Sequence, residues 1–165
     1  MSLEIERRFL LKNDNWKEFI TKKIYIEQGY LSKSLDDWII RIRFTGKEFK
    51  IAFKKHIKGF TNFEFEYYIP RSDGEIIMSN ISNTIKKERF FLEVEKKCWI
   101  IDCFKENNYP LEIAEIELSN EEEDFFIPSF ISKEITGRTH YSNFSLACNP
   151  FSEWKEDYLT TYKSD

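Results

Sequence analysis

Much of this chain alternates between apolar and polar residues, and that alternation constrains the fold more than any other feature of the sequence. Successive side chains of a β-strand point to opposite faces, so a period of two predicts strands with one apolar and one polar face. Antiparallel sheets are commonly built from such strands. The predicted strands are Leu3–Leu11, Tyr25–Leu31, Trp38–Thr45, Glu48–Lys55, Thr61–Ile69, Ile85–Leu92, Cys98–Phe104 and Leu111–Leu118.

Helices are expected in only a few of the remaining segments. Asp73 and Asn120 stand at the start of two of these segments, and their side chains can cap a helix by accepting hydrogen bonds from its first backbone amides. An acidic turn follows Asn120. Turns containing Gly46 and Gly59 separate neighbouring strands. The predicted helices are Asp14–Lys22, Asp73–Asn83, Asn120–Phe125 and Thr139–Ala147.

The polar faces of the predicted strands carry pairs of like charges. Glu4 and Glu6 share one face of the first strand, and Arg41 and Arg43 share one face of the third. Neighbouring like charges repel, so a face that simply met water would be expected to mix Thr, Ser, Lys and Glu. The pattern continues at Arg8, at Lys50 and Lys54, at Glu64 and Glu66, at Lys87 and Arg89, at Asp102, and at Glu115 and Glu117.

Two kinds of ligand would compensate both signs of charge at once. Divalent cations bind carboxylates, and phosphate oxygens bind Arg and Lys. If the apolar faces pack outward, the charged faces line the inside of a barrel. The predicted fold class is therefore α+β, mainly antiparallel β: a closed, roughly eight-stranded β-barrel or tunnel with a charged interior and helices packed outside. For any single strand, an ordinary sheet with its polar face in water is the alternative.

Composition and charge exclude several classes of protein. The chain has 165 residues, 17% of them aromatic, which predicts a single folded domain over residues 1–165. Its 25 basic and 29 acidic residues give no electrostatic basis for binding nucleic acid. No apolar run approaches the ~20 residues of a membrane span. Cys98, Cys103 and Cys148 indicate reduced thiols, so we expect a cytoplasmic protein without a nucleic-acid or membrane partner. The sequence leaves a homodimer open.

An ordered series of short motifs resembles one family. Glu4-Ile5-Glu6-Arg7-Arg8 looks like the Glu-x-Glu-x-Lys signature that opens the CYTH superfamily, also called triphosphate tunnel metalloenzymes. Glu27–Leu31, which reads Glu-Gln-Gly-Tyr-Leu, resembles the second strand of that family. The family-like segment covers residues 3–147, and residues 148–165 form a C-terminal extension. The series continues with Arg41-Ile42-Arg43, Lys54, Glu64, Glu66, Lys87-Glu88-Arg89, Asp102, Glu115-Ile116-Glu117, Glu134–Gly137 and Tyr141-Ser142-Asn143.

Two positions depart from the family pattern. Arg8 stands where the signature usually has Lys, which keeps the positive charge but replaces an ammonium group with a planar guanidinium. The segment Gly137–Tyr141 reads Gly-Arg-Thr-His-Tyr, whereas many relatives carry an acidic residue early and an Arg directly before the Tyr. The family's contacts at that mouth of the tunnel are therefore not carried over to this chain.

The resemblance implies that the chain hydrolyses a triphosphate, with inorganic triphosphate as the substrate and Mg²⁺ or Mn²⁺ as the cofactor. Lys54 with Tyr30 resembles a pair that activates the attacking water in the family. Crowding by Arg41, Arg43 and Arg89 predicts a lowered pKa for Lys54. The implied phosphate-binding residues are Arg8, Arg41, Arg43, Lys87 and Arg89. The implied metal ligands are Glu4, Glu6, Glu64, Glu66, Asp102, Glu115 and Glu117.

The same motifs are also compatible with other activities, and the sequence does not choose between them. A class IV adenylate cyclase would direct the ribose hydroxyl of ATP at the α-phosphate, and hydrolysis of thiamine triphosphate would need residues that stack on the thiamine rings. No base-recognition surface can be picked out among so many aromatic residues. A module that binds polyphosphate or a phosphorylated protein without turning it over would need no activated water, so Tyr30 and Lys54 would then be dispensable.

Overall fold

Nine strands form one continuous sheet in the computed structural model, which describes residues 3–32, 34 and 37–156. All strand pairings are antiparallel, as expected for strands with two unlike faces. The strands are β1 (Leu3–Leu11), β2 (Ile20–Tyr30), β3 (Ile39–Phe44), β4 (Phe49–Lys58), β5 (Thr61–Ile69), β6 (Thr84–Val94), β7 (Lys97–Phe104), β8 (Glu112–Glu117) and β9 (Ile131–Glu134).

Strand β1 closes the sheet into a barrel. The strand order is β5-β4-β3-β2-β6-β7-β8-β1, and β1 pairs in turn with β5, with Leu3 opposite Phe63 and Ile5 opposite Thr61. The result is the closed eight-stranded antiparallel β-barrel that the sequence predicts, since the ninth strand only extends the sheet beyond β1. The short strand β9 joins the end of β1, where Phe9 lies opposite Glu134.

The predicted strands are confirmed, but two predicted helices are wrong. Residues Asn15–Phe19 form only a short 3₁₀-helix, because β2 begins at Ile20 and pairs with β6 along its whole length. Asn120–Phe125 forms a loop, in which Glu121 accepts hydrogen bonds from the Phe60 amide and the Thr61 hydroxyl instead of starting a helix.

The two α-helices differ in their bounds from the predicted ones. Helix α1 covers Arg71–Ser79 and starts after Pro70, so Asp73 lies inside its first turn and does not cap it. Helix α2 covers Asn143–Cys148, after a separate 3₁₀-helix at Thr139–Tyr141. The Ser142 side chain caps α2 by accepting a hydrogen bond from the Ser145 amide at 3.1 Å.

One hydrophobic core lies on the outer side of the barrel. The outward faces of β1, β6, β7 and β8 contribute Phe9, Leu92 and Trp99, and these pack against Trp16 and Phe130 from the connecting segments. On another part of the barrel, α1 packs against β3 and β4. No helix within the described ranges is long and apolar enough to cross a lipid bilayer.

A second core closes part of one end of the barrel. Leu10 and Ile113 lie opposite each other on the inner wall, and they pack with residues of the chain after β9. Those residues include Tyr141, Leu146 and Phe151. We call residues 135–151 the covering segment. Of the predicted C-terminal extension, residues 148–151 belong to this segment and residues 152–156 follow it. Residues 157–165 lie outside the described residues.

Candidate active site

The strand register places the charged rows on the inner wall of the barrel. Residues directly opposite each other in an antiparallel pair point to the same side of the sheet. Arg8 lies opposite Glu115, Arg89 opposite Asp102, and Lys54 opposite Glu64. The same registers put the other predicted site residues on this wall: Glu4, Glu6, Tyr30, Arg41, Arg43, Glu66, Lys87 and Glu117.

A cavity of about 440 Å³ lies between this wall and the covering segment. Five predicted site residues line it: Glu6, Arg8, Tyr30, Arg41 and Lys54. The other predicted site residues lie outside its lining. The covering segment and the ends of β4 and β5 supply further lining, including His56, Phe60, Asn62, Arg138, Asn143 and Phe144.

Two guanidinium groups that line the cavity each keep one buried nitrogen without a hydrogen-bond partner among the described residues. Arg8 donates from Nε to Glu115 at 3.1 Å and from Nη1 to the Tyr141 carbonyl at 3.0 Å, and its Nη2 is the unpaired nitrogen. Arg41 donates from Nη2 to Glu64 at 3.0 Å and to Glu66 at 3.1 Å, and its Nε is the unpaired one. An unsatisfied buried donor costs about 1–3 kcal/mol, so both side chains retain capacity to bind an acceptor.

Elsewhere on the inner wall, outside the cavity lining, a buried ion network holds Lys87 and Arg89. Arg89 binds Asp102 through both oxygens at 2.7 Å and also reaches Glu115 at 3.0 Å. Lys87 Nζ donates to Asp102 Oδ2 at 2.5 Å. Burial raises the pKa of Asp102, but Arg89 and Lys87 outweigh it and hold that pKa well below its usual range. Burial lowers the pKa of Lys87 to about 7, against the opposing effect of Asp102.

Lys54 lies among carboxylates and not among arginines. Its Nζ contacts Glu4 and lies 3.5 Å from Glu6. Burial lowers the pKa of Lys54, but the charges of Glu6, Glu4 and Glu64 outweigh burial and raise it. The predicted lowering of this pKa by Arg41, Arg43 and Arg89 is therefore wrong for this arrangement, because the nearest charges are of the opposite sign.

The carboxylates around Lys54 also crowd one another. Burial and the charge of Glu6 raise the pKa of Glu4 to about 8. Glu64 Oε2 is buried without a hydrogen-bond donor, and protonation of Glu4 is what would supply one. Such a row of carboxylate oxygens suits a hard divalent cation by its donor chemistry. Within the described residues, however, no three His, Cys, Asp or Glu side chains are already arranged as a metal site.

The other implied metal ligands differ in what they contact. Glu66 binds Lys50 at 2.9 Å as well as Arg41, and Glu115 is divided between Arg8 and Arg89. Asp102 is fully buried between two cations, so ligation of a metal would have to break an ion pair. Glu117 is exposed and lies opposite Glu6 on the inner wall, within the same row as Glu4.

Tyr30 is held by a residue that the sequence did not assign to the site. The Tyr30 hydroxyl accepts a hydrogen bond from Gln28 Nε2 at 2.6 Å, and Gln28 Oε1 accepts one from Arg43 Nε at 3.2 Å. Gln28 is fully buried, and its spacing of two from Tyr30 puts both on one face, which was the available signal. Among the described residues, Tyr30 makes no hydrogen bond to Lys54.

Comparison with known proteins relates the whole described fold to triphosphatases. The chain is 32% identical over 158 residues to the inorganic triphosphatase of Acetivibrio thermocellus, covering 94% of this chain and 100% of that enzyme. It is 26% identical over 148 residues to the inorganic triphosphatase of Nitrosomonas europaea, covering 87% and 96%. No family model matches the chain.

Solved structures agree with this relationship. The crystal structure of an inorganic triphosphatase superposes with a TM-score of 0.65 at 26% identity, covering 89% of this chain and 95% of that one. A Hippeastrum protein, described as a candidate adenylyl cyclase with a dominant triphosphatase activity, superposes with a TM-score of 0.56 at 15% identity. That alignment covers 74% of this chain and 81% of the Hippeastrum chain, and at such low identity it concerns the fold alone.

Proposed function

Because this chain belongs to the inorganic triphosphatase family of the CYTH superfamily, we propose that it hydrolyses inorganic triphosphate inside its barrel with the help of a divalent cation. The observation that carries the proposal is the pair of cavity-lining guanidinium groups, Arg8 and Arg41, which lie in one lining with the Glu6 carboxylate and each keep one nitrogen unpaired among the described residues. A compact polyanion would bind the guanidinium groups, and a cation bound to that polyanion would bind the carboxylates.

The basic residues have two roles in the proposal. Arg8 and Arg41 line the cavity and would contact phosphate oxygens directly. Arg43, Lys87 and Arg89 lie on the inner wall outside the cavity lining and add positive charge. Fixed positive charge stabilises the transition state of phosphoryl transfer because negative charge spreads over the phosphate oxygens as the bond breaks.

The carboxylates nearest the cavity would hold the cation. Glu4 and Glu6 are the central ligands of the proposal, with Glu64 and Glu117 beside them on the inner wall. Mg²⁺ and Mn²⁺ suit this set, since both accept a few carboxylates together with phosphate oxygens, and either would neutralise charge on the triphosphate. Lys54 bridges Glu4 and Glu6, so its ammonium fixes the two side chains on the same stretch of wall.

Lys54 and Tyr30 are proposed to handle the attacking water. Both line the cavity, on neighbouring parts of the wall near Arg41. Lys54 would accept a proton once the charge of Glu4 and Glu6 is compensated, because those two carboxylates raise its pKa. Tyr30, fixed by Gln28, would orient the water through its hydroxyl.

Phosphate release from a substrate panel tests the proposed function. With Mg²⁺ or Mn²⁺, we expect inorganic triphosphate to be hydrolysed faster than ATP and thiamine triphosphate, since the cavity presents charges and no assigned base-recognition surface. Cyclic AMP should be assayed alongside. Formation of cyclic AMP from ATP would replace the proposal with a cyclase activity. Tight binding of triphosphate without turnover of any substrate would identify a binding module.

Arg41→Ala is expected to lower kcat/KM for inorganic triphosphate by about 10- to 100-fold. This factor corresponds to the loss of one charge-assisted contact, which contributes roughly 1.5–3 kcal/mol. Arg43→Ala should cost less, because Arg43 lies outside the cavity lining and is held by Gln28. Arg71→Ala, on the exposed side of α1, is the matched control. Equal kinetics for wild type and Arg41→Ala would mean that this donor does not meet the substrate.

A further inference from the structure

We propose that Asn143 is a further substrate-binding residue, whose side-chain amide donates a hydrogen bond to a phosphate oxygen at the covered end of the cavity. Asn143 comes from the covering segment, whereas the basic residues of the site come from the barrel strands. This inference deepens the proposed function and rests on it, because it assigns one more contact to the same triphosphate.

The orientation of the Asn143 amide is fixed by Lys87. Asn143 Oδ1 accepts a hydrogen bond from Lys87 Nζ at 2.8 Å. The same Nζ lies 2.5 Å from Asp102 Oδ2, so Lys87 donates one hydrogen to each of these two oxygens, which an amine nitrogen can do in either charge state. With its Oδ1 on Lys87 Nζ, the Asn143 amide turns its NH₂ group the other way.

The other side of the Asn143 amide is the cavity. Asn143 is half-buried and lines the cavity, whereas Lys87 is fully buried and lies outside the lining. In the described part of the chain, Asn143 Nδ2 makes no hydrogen bond. The NH₂ group thus presents donors to the space that Arg8 and Arg41 also face. The oxygens of a triphosphate are predominantly hydrogen-bond acceptors, which matches the donors of the NH₂ group.

The covering segment holds Asn143 firmly in this position. The Tyr141 carbonyl accepts from Arg8 Nη1 at 3.0 Å, and the Phe144 ring packs edge-on against Tyr30 at 5.5 Å between ring centres. Further along, buried Asn108 donates to the Leu146 carbonyl at 3.1 Å and accepts from the Phe151 amide at 2.7 Å. A donor held by packing on both sides needs little ordering when substrate binds.

A purely structural role for Asn143 predicts a different order of mutational effects. If Asn143 only supplied an acceptor to Lys87, Asn143→Asp would preserve that contact and would be the milder change. Asn143→Ala would remove the contact and would be the more damaging one. If Asn143 instead donates to phosphate, Asp is the worse residue, because it removes the donor and places a negative charge against the substrate.

Binding of inorganic triphosphate to the full chain, measured by titration calorimetry in a chelating buffer without divalent cation, decides between these roles. We expect Kd to rise at least about tenfold for Asn143→Asp and by a smaller factor for Asn143→Ala. With Mg²⁺ present, KM should follow the same order. Asn149→Asp is the matched control, since this exposed residue of the covering segment receives the same change in charge, and its Kd should equal that of wild type.

The opposite order, with Asn143→Ala weaker than Asn143→Asp, would overturn the proposal, as would a Kd for Asn143→Asp equal to that of wild type. Thermal unfolding of each variant checks that the barrel remains folded. Should Asn143→Asp unfold, Asn143→Ala with an unchanged Kd is sufficient to overturn the proposal. Wild-type protein that binds triphosphate but does not hydrolyse it would contradict the proposed function while leaving the Asn143 contact measurable. Wild-type protein that does not bind triphosphate even with Mg²⁺ present would contradict both.

Discussion

Replacing Glu6 with Gln is expected to lower the cation-dependent turnover of inorganic triphosphate by about 10³-fold or more, while the barrel stays folded. Gln keeps the shape of Glu and an oxygen for Lys54, but it removes the charge that would hold a divalent cation beside the phosphates. The side chain points into the barrel and belongs to neither hydrophobic core, so packing does not change. The measurement is kcat as a function of Mg²⁺ and Mn²⁺ concentration.

Glu4→Gln should reduce turnover in the same way but should not weaken the fold. Burial and Glu6 raise the pKa of Glu4 from 4.5 to about 8, so the ionised form is disfavoured in the folded state. A group whose pKa is higher in the folded than in the unfolded state contributes to stability in full only below its unfolded pKa. That contribution is lost as pH rises through the folded pKa of about 8. At pH 7, Glu4 is ionised in the unfolded chain and mostly protonated in the folded one, so Gln removes the cost of that protonation, and the Tm of Glu4→Gln without divalent cation should equal or exceed that of wild type.

Glu48→Gln is the control for both carboxylate variants, because Glu48 is exposed and lies outside the cavity lining. It should leave kcat and its dependence on cation concentration unchanged. Full activity of both Glu4→Gln and Glu6→Gln would exclude the two residues as cation ligands. A loss of activity that excess Mg²⁺ or Mn²⁺ restores would support them, since a weakened ligand set binds the cation less tightly but does not lose the site.

The strand content of the barrel and the content of its inner wall are predictable because they are local properties. A period of two assigns each charged residue to a face without any knowledge of its neighbours on other strands. Glu4, Glu6, Arg41 and Arg43 were placed on their correct faces on that basis alone. The roles of these side chains toward a cation or a phosphate stay proposals, which the variants above address.

The neighbours of each charge are not predictable in the same way, because they depend on register between distant strands. Lys54 faces Glu64 through the β4–β5 hairpin, and it reaches Glu4 and Glu6 only because β1 closes the barrel against β5. The covering segment is similarly non-local, since its place is set by packing on inward residues such as Leu10. The wrong helix at Asp14–Lys22 has the same origin, because pairing of β2 with β6 outweighs local propensity.

Replacing Lys54 with Arg is expected to lower kcat by about 10²- to 10⁴-fold, which is the range for loss of a general base. The Kd for inorganic triphosphate should change little. A guanidinium keeps the positive charge at the cavity but does not release its proton. Lys54 is the lysine among the described lining residues, and it shares that lining with Arg41 and Tyr30. In the present arrangement Glu4 and Glu6 favour its protonated form, so the base role requires their charge to be compensated first.

Lys55→Arg is the matched control for Lys54→Arg, because the adjacent side chain points to the outer side of the same strand and meets Asp37 at 3.8 Å. Its kcat should match that of wild type. If Lys54→Arg keeps more than about a third of wild-type kcat, Lys54 supplies charge and not proton transfer, because Arg meets only the first of these needs. Lys54→Met then separates the two remaining electrostatic roles: loss of cation dependence indicates that Lys54 organises Glu4 and Glu6, and a raised KM alone indicates contact with phosphate.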